Sequence, residues 1–482
     1  MFIKEPLWTS AELGAMCGGI NARPWYADGV QTDSRDVLPG DLFVALKGEH
    51  ENGHAYLADA FARGAVAALV SESVDGFDQS DTRLVHVPDT LEALRLMATE
   101  ARRRAPVKVI GVTGSAGKTS TVHALKKALE RVDRTHASIK SYNNFVGVPL
   151  SLARMTRASR FGVFELGMGA AGEIRRNTAL VRPHVAIVTA VGAAHTASFE
   201  NVGAVADAKA EIFEGLADDG VAVINMDHAY ASRLVEVAEA LGRKVVTVSV
   251  TGKADVQPLR MTEHHNCTCL TADVCGMPIT YKIGQPGREW VQNSLLILAA
   301  IQAVGGDLGH AALALAALEA EPGRGRTHTI DLPHASATLL DDSYNANPLS
   351  MKAALRRLSL APVHHFGRRI AVLADMQELG EESQSMHNAL VTEFRKFGVS
   401  RIYAFGPQMT EAAKLAGADV VECSSIEGTV SQLVRDMRDG DALMVKGANS
   451  AGLARLVEGL IEAGQQEEPE GVARMAGVAH AL

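Results

Sequence analysis

Residues 109–125 read VIGVTGSAGKTSTVHAL, a run whose glycines, hydroxyls and single lysine fall where a phosphate group could be held. Gly114 and Gly117 stand in a turn whose backbone N–H groups, added to the positive end of the following helix, bind anions without any cationic side chain. Ser115 and Ser120 lie within and just after that turn. Lys118 has the place of the lysine that reaches the outer phosphates, and Thr119 that of the hydroxyl that coordinates Mg²⁺. The general motif asks for glycine five residues before Gly117. Val112 stands there, so only a shorter Thr-Gly-Ser-Ala-Gly-Lys-Thr form is met. The plain alternative is an ordinary Gly/Ser turn with a solvated lysine. The order of strand, turn, Lys-Thr and helix favours the phosphate loop.

Ligands of open parallel sheets sit beyond the carboxyl ends of the strands, so polar residues that close apolar runs come next. Glu165 ends the apolar run GVFE, where an unpaired carboxylate is costly and either Mg²⁺ or a partner from Arg or backbone N–H would compensate it. His195 follows VAIVTAVGAA and suits a second metal ion or a phosphate, although a loop histidine is ordinarily just solvated. In NVGAVADAKAEIFEGL, Val205, Ala208, Ile212 and Leu216 make one helical face. Lys209 lies beside that face, and without further information a helix lysine reads as a surface charge. LLDDSYNANPLSM runs from a buried strand into Asp341, Asp342, Ser343, Asn345 and Asn347, with Pro348 opening a helix. Such a cluster can hydrogen-bond a ribose or base, or can cap the helix.

These residues must be carried by a large α/β scaffold. The chain has 482 residues, enough for two to four domains. Its 56 acidic against 47 basic side chains give a net charge of −9, which argues against nucleic acid as a partner. Neither the N-terminus nor SLLILAAIQAVGG at 294–306 has the pattern of a signal peptide or a membrane span, so the expectation is a cytoplasmic protein with no membrane insertion. Cys267, Cys269 and Cys275 fall near His264 and His265, but the spacing matches no zinc motif. Buried or half-buried thiols of a β-hairpin are expected instead. Three domains are expected: 1–105, a small α/β domain; 106–322, strand, phosphate turn, helix and a mostly parallel sheet; and 323–465, strands alternating with helices in a doubly wound pattern. Residues 466–482 read as a loose tail.

Taken together, TDSRDVLPGDLFVALKGE, VTGSAGKTS, SYNNFVGVPLSL, FELGM with GEI, AKAEIF, DDSYNANPLSM, VLADMQELGEES followed by His387, and MVKG resemble the Mur ligases. They run in family order from residue 32 to residue 447. DDSYNANP with ADMQELG is similar to the branch that adds D-alanyl-D-alanine. The resemblance implies a UDP-sugar-binding domain, a central ATPase and a C-terminal Rossmann-like domain. The implied activity is an ADP-forming, ATP-dependent ligation of D-alanyl-D-alanine to a UDP-linked peptide in peptidoglycan precursor synthesis, by a monomer. It implies that Lys118 and Thr119 hold ATP phosphate and Mg²⁺, that Glu165 and His195 bind metal ions, and that Lys209 is carbamylated and helps to hold Mg²⁺. It further assigns Asn293 and Asp342 to the base or ribose and Arg326, in competition with Arg324, to the γ-phosphate. Asn143 and Asn144 would line the substrate channel, and Ser34, Arg35 and Lys47 the UDP region.

Several positions depart from the branch pattern. Gly169 stands where Asn is usual, followed by Ala170 and Ala171; Thr196 and Ala197 follow the histidine where Leu and an acidic residue are common; Glu289 replaces His; and Ala448 replaces Ser. The phosphate-transfer residues are all present, so the departures concern the acceptor or peptide pocket. Two alternatives to the cell-wall reaction follow: a ligase joining a different amine and carboxylate, and a non-catalytic nucleotide or UDP-sugar binder. The metal-binding set argues against the last.

Overall fold

The computed structural model describes residues 5–18, 23–48, 51–78, 80–139, 141–193, 196–264, 266–364 and 366–465. The chain divides into two compact units, Met1–Leu318 and Glu319–Leu482. The first holds both the N-terminal and the central sheet, and the division falls four residues before the expected boundary at 322.

In the N-terminal region four short strands, Gly29–Gln31, Asp41–Val44, Ala67–Val70 and Leu84–His86, pair in parallel. Their apolar faces pack with helix Thr90–Arg104, whose Ala93, Leu94, Met97 and Ala101 are buried at helical spacing. Asp89 caps that helix through the N–H groups of Leu91 and Glu92. The same core takes in Leu150 and Ala153 of the central region, and the indole of Trp8 donates to the Ala153 carbonyl at 2.7 Å.

The central sheet has nine strands, in spatial order Met277–Ile283, Thr268–Val274, Val256–Glu263, Lys244–Val248, Val221–Asn225, Val185–Val188, Lys108–Thr113, Phe161–Glu165 and Thr135–Ala137. The seven from Val256–Glu263 onward run parallel, and the first two add an antiparallel meander. Strand Lys108–Thr113 lies inside the sheet and is buried from Val109 to Thr113, as its unbroken apolar run requires of a strand covered on both faces.

The meander corrects one expectation. Cys269 and Cys275 are exposed and only Cys267 is half-buried. The inward residues are Thr268, Leu270, Ala272 and Val274, so period-two alternation turns Cys269 outward. Cys275 occupies the turn with φ +49°. Among the described residues no three His, Cys, Asp or Glu side chains converge as a metal site, and His265 lies outside them. No described helix is long and apolar enough to cross a membrane.

The second unit is a six-stranded sheet ordered Arg326–Leu332, Ala335–Asp342, Ala442–Lys446, Arg369–Ala374, Arg401–Phe405 and Asp419–Cys423. After the antiparallel first pair all neighbours are parallel. The last strand in sequence, Ala442–Lys446, inserts between two earlier ones. That gives the doubly wound topology, with its ligand crevice at the carboxyl ends where the winding changes direction.

Candidate active site

The phosphate loop follows strand Lys108–Thr113 and leads into helix Lys118–Leu129, whose Val122, Leu125 and Leu129 are buried. Its shape depends on two glycines. Gly117 has φ +81°, and a Cβ there would lie 3.0 Å from Oδ1 of Asn293; at Gly114 a Cβ would come within 1.9 Å of the Thr189 hydroxyl. The loop is stapled to the end of the neighbouring strand. Thr189 donates to the Ala116 carbonyl at 2.6 Å, Ser115 donates to the Gly192 carbonyl at 3.0 Å, and the Ser115 N–H donates to Ala190 at 2.8 Å. Lys118 folds back so that Nζ donates to the Gly114 carbonyl at 2.7 Å, arching over the loop it serves. The result is a preformed anion cradle at a helix N-terminus.

Three separated segments meet beside it. Glu165, at the end of the adjacent strand, is only 2% exposed. Its Oε2 accepts from the Thr119 hydroxyl at 2.8 Å and its Oε1 from the Asn143 amide at 2.6 Å. Asn143 is wedged against Gly167, where a Cβ would lie 2.5 Å from its Oδ1. Both partners of Glu165 are neutral, and among the described residues no basic side chain pairs with it. A buried carboxylate in that state calls for a cation.

Lys209 lies near enough to Lys118 for its amine to feel that charge. Helix Val202–Ala210 buries Val205, Ala206 and Ala208, and the lysine with them at 2% exposure. The amine's contact is the Met168 sulfur at 3.9 Å. Met168 lies three residues beyond Glu165. Burial, reinforced by the charge of Lys118, holds the amine well below the ordinary lysine range. This helix is tied to the loop that follows Met168: Glu211 accepts from the Gly172 N–H at 2.8 Å and the Arg175 N–H at 3.0 Å. At Gly169 a Cβ would meet the Glu173 carboxylate at 3.9 Å, ordinary van der Waals contact, and the Gly169 N–H donates to the same carboxylate at 2.7 Å. His195 lies outside the described residues.

On the other side of the phosphate loop, helix Arg288–Ala303 places Asn293 against Gly117, with the half-buried Glu289 one turn earlier on the same face. Gln292 donates to Asn225, whose own amide donates to the Thr189 carbonyl at 2.7 Å. Asn225 therefore belongs to the row of polar residues at the strand ends. The sequence reading missed it, although strand Val221–Asn225 closes on a polar residue as the others do.

In the N-terminal region Ser34 is buried and hydrogen-bonds Asp59, which holds that carboxylate below its usual range. Arg35 rests on Asp33 at 2.7 Å and Lys47 on Glu72 at 3.3 Å, both exposed. Asn144 differs from its neighbour Asn143: its Oδ1 accepts from Gly147 N at 2.8 Å and so begins helix Gly147–Ala153.

The second unit gathers Asp341, Asp342 and Lys446 at the carboxyl ends of adjacent strands. Asp341 accepts from the Gly323 N–H at 2.6 Å and from the Ser343 hydroxyl at 2.6 Å, which clamps the glycine-rich stretch before strand Arg326–Leu332. Arg324 stacks 3.9 Å over Tyr344, whereas Arg326 is exposed and its side chain has no partner among the described residues. Asn347 caps helix Pro348–Leu360 through Ser350 N, and Oδ1 of Asn345 accepts from Ala346 N at 2.9 Å. His387 is fully buried. It accepts from Met376 N at 2.8 Å and lies 2.7 Å from the Ser383 carbonyl, pinning the loop after strand Arg369–Ala374.

A phosphate cradle flanked by a buried carboxylate and a buried lysine, on a mostly parallel sheet followed by a doubly wound unit, defines a nucleotide-dependent ligase of the Mur type, and the chain belongs to the Mur ligase family. Residues 27–102 match the Mur ligase family catalytic domain, 112–301 the Mur ligase middle domain, and 325–449 the Mur ligase glutamate ligase domain. The chain is similar to the UDP-N-acetylmuramoyl-tripeptide–D-alanyl-D-alanine ligase of Escherichia coli K12, with 33% identity over 91% of this chain and 94% of that one. It is also similar to the enzyme of that name from Bacillus subtilis, with 29% identity over 94% and 98%. Among solved structures, MurF from Acinetobacter baumannii superposes with a TM-score of 0.82 at 27% identity, covering 94% of this chain and 99% of that one.

Proposed function

We propose that this chain is an ATP-dependent ligase that joins D-alanyl-D-alanine to the peptide carboxylate of UDP-N-acetylmuramoyl-tripeptide, a step of peptidoglycan precursor synthesis. The observation that carries the reading is the preformed phosphate loop beside Glu165, a buried carboxylate without a basic partner among the described residues. The names of the relatives set the substrates. In this reading the peptide carboxylate attacks the γ-phosphorus of ATP in line, ADP leaves, and an acyl phosphate forms. The dipeptide amine then attacks the carbonyl carbon, phosphate departs, and the nitrogen loses a proton to give the amide.

The chain's task is to bring two anions together and to keep water from the acyl phosphate. The helix N-terminus after Gly117 and the Lys118 ammonium hold the outer phosphates. Thr119 and Glu165 fit Mg²⁺, a hard cation that takes one or two carboxylates and completes its shell with phosphate oxygens and water. When bound, Mg²⁺ supplies charge that screens the phosphate from its nucleophile. The Lys209 amine, buried and without a carboxylate partner among the described residues, fits carbamylation by CO₂, which would convert it to an anionic oxygen ligand. Arg326, in competition with Arg324, is assigned to phosphate, and Asn293 and Asp342 are each assigned to the nucleoside, as the family resemblance implies. Ser34, Arg35 and Lys47 are assigned to the UDP moiety, and the protein to the cytoplasm.

The test is phosphate release and product mass with ATP, Mg²⁺ and UDP-N-acetylmuramoyl-tripeptide, with and without D-alanyl-D-alanine. The expected result is release that requires both substrates and a product heavier by the dipeptide less water. The alternative rests on the sequence departures at Gly169, Thr196, Glu289 and Ala448. No release with these substrates, but turnover with another amine or carboxylate, would assign the chain to a different ligation.

A further inference from the structure

Lys446 is as deeply buried as Lys209 but fully engaged. It is 2% exposed and ends strand Ala442–Lys446, inside the second sheet. In register it stands opposite Asp342 on one neighbouring strand and Leu373 on the other. Its Nζ donates to Asp342 Oδ2 at 2.9 Å and to the Asn345 carbonyl at 2.9 Å. The two adjacent aspartates thus have different duties. Asp341 is saturated by Gly323 and Ser343. Asp342 has Lys446 on one oxygen, while Oδ1 has no partner among the described residues and the side chain is 26% exposed.

We propose that Lys446 is a positioning residue for the nucleotide: its ammonium neutralises Asp342 and fixes the carboxylate so that Oδ1 accepts a hydrogen bond from a nucleoside hydroxyl. The inference rests on the reading that Asp342 serves the nucleoside. A bare carboxylate beside a triphosphate repels it. The same carboxylate held against a buried ammonium keeps its acceptor and loses its net charge. The second bond of Lys446, to the Asn345 carbonyl, holds the segment after the strand, so the pair is fixed at both ends.

The experiment measures ATP KM and kcat by phosphate release, with thermal melts as a folding control. K446M should raise ATP KM about tenfold or more with kcat little changed, which is the loss of ~1.4 kcal/mol or more in binding. That effect should shrink as salt rises toward 0.2 M, because uncompensated repulsion is screened while a packing defect is not. The double variant K446M/D342N, which removes the charge and keeps an acceptor, should recover most of the lost affinity. Should K446M fail to fold, K446Q retains donors for both oxygens without the charge and carries the same two tests. An unchanged KM in the folded lysine variants, or a double variant no better than the single one, overturns the role of Lys446. D342A tests the underlying reading separately: it should weaken ATP and abolish discrimination against 2′-deoxy- and 3′-deoxy-ATP. If D342A leaves both unchanged, the assignment of Asp342 to the nucleoside fails, whatever Lys446 does.

Discussion

Replacing Lys209 by methionine should make the protein more stable and inactive. The amine is 2% exposed, and a thioether sulfur at 3.9 Å is a poor substitute for the water it lost. Burying a polar group without a compensating hydrogen bond costs roughly 1–3 kcal/mol by protein mutational data. Methionine has nearly the same length and a flexible, apolar end, so Lys209→Met removes that penalty without opening a large cavity. For domains of 150–250 residues each kcal/mol moves the melting temperature by about 2–4 °C, so a rise of several degrees is expected. The assay is scanning calorimetry of wild type and variant in CO₂-depleted buffer, followed by phosphate release with both substrates. Adding bicarbonate and Mg²⁺ should stabilise the wild type and leave the variant where it was. A variant that melts at or below the wild type would mean that the native amine is already satisfied. Full turnover by the variant without added short carboxylates would remove Lys209 from the chemistry altogether.

Three further outcomes follow from particular contacts. Gly117→Ala places a Cβ 3.0 Å from Asn293 at φ +81°, which costs roughly 1–2 kcal/mol in backbone strain and pushes on Asn293; equilibrium nucleotide binding should weaken at least tenfold while the fold persists by circular dichroism. Asn347→Ala removes the cap of helix Pro348–Leu360 and should lower stability by about 1 kcal/mol in urea titrations, with little change in ATP KM if Asn347 acts as a cap alone. Burial lowers the His136 imidazole to about 4, against about 6.5 in an unfolded chain, so between these values the unfolded state binds the extra proton. Stability should therefore fall as pH drops from about 6.5 to 4, and urea midpoints across that range should decline less steeply in His136→Gln.

What could be read from the residues in order was the placement of strands and the identity of the phosphate loop. Apolar runs such as VAIV, FGVFE and RIAVLA are short, bounded and continuous, and a strand inside a parallel sheet has little choice but to look that way. Asn143 on Glu165 was not readable as a contact, because 22 residues separate them and only the sheet brings them together. The burial of Lys209 was likewise invisible. Its helix is rich in alanine and apolar nearly all round, so the apolar face has no sharp edge by which to judge a lysine beside it. The cysteines failed on phase: two adjacent polar and apolar alternations fit the same stretch, and only the packing of Leu270, Ala272 and Val274 in one core with residues of helix Arg288–Ala303 decides which one faces inward. Asn345 and Asn347 were open to two readings because hydrogen bonding to a ligand and capping a helix ask for the same residue types.

The bond from Trp8 to Ala153 and the core that Leu150 and Ala153 share with the N-terminal sheet tie the N-terminal and central regions into one compact unit. If Ser34, Arg35 and Lys47 grip one end of a long substrate and Lys118 and Glu165 act at the other, the span between grip and reaction is set by packed side chains. The enzyme then works as a ruler. A precursor one residue shorter or longer, bound correctly by its nucleotide-sugar end, presents its carboxylate at the wrong distance from the phosphate. Such a body selects by length before any contact with the terminal residue is made.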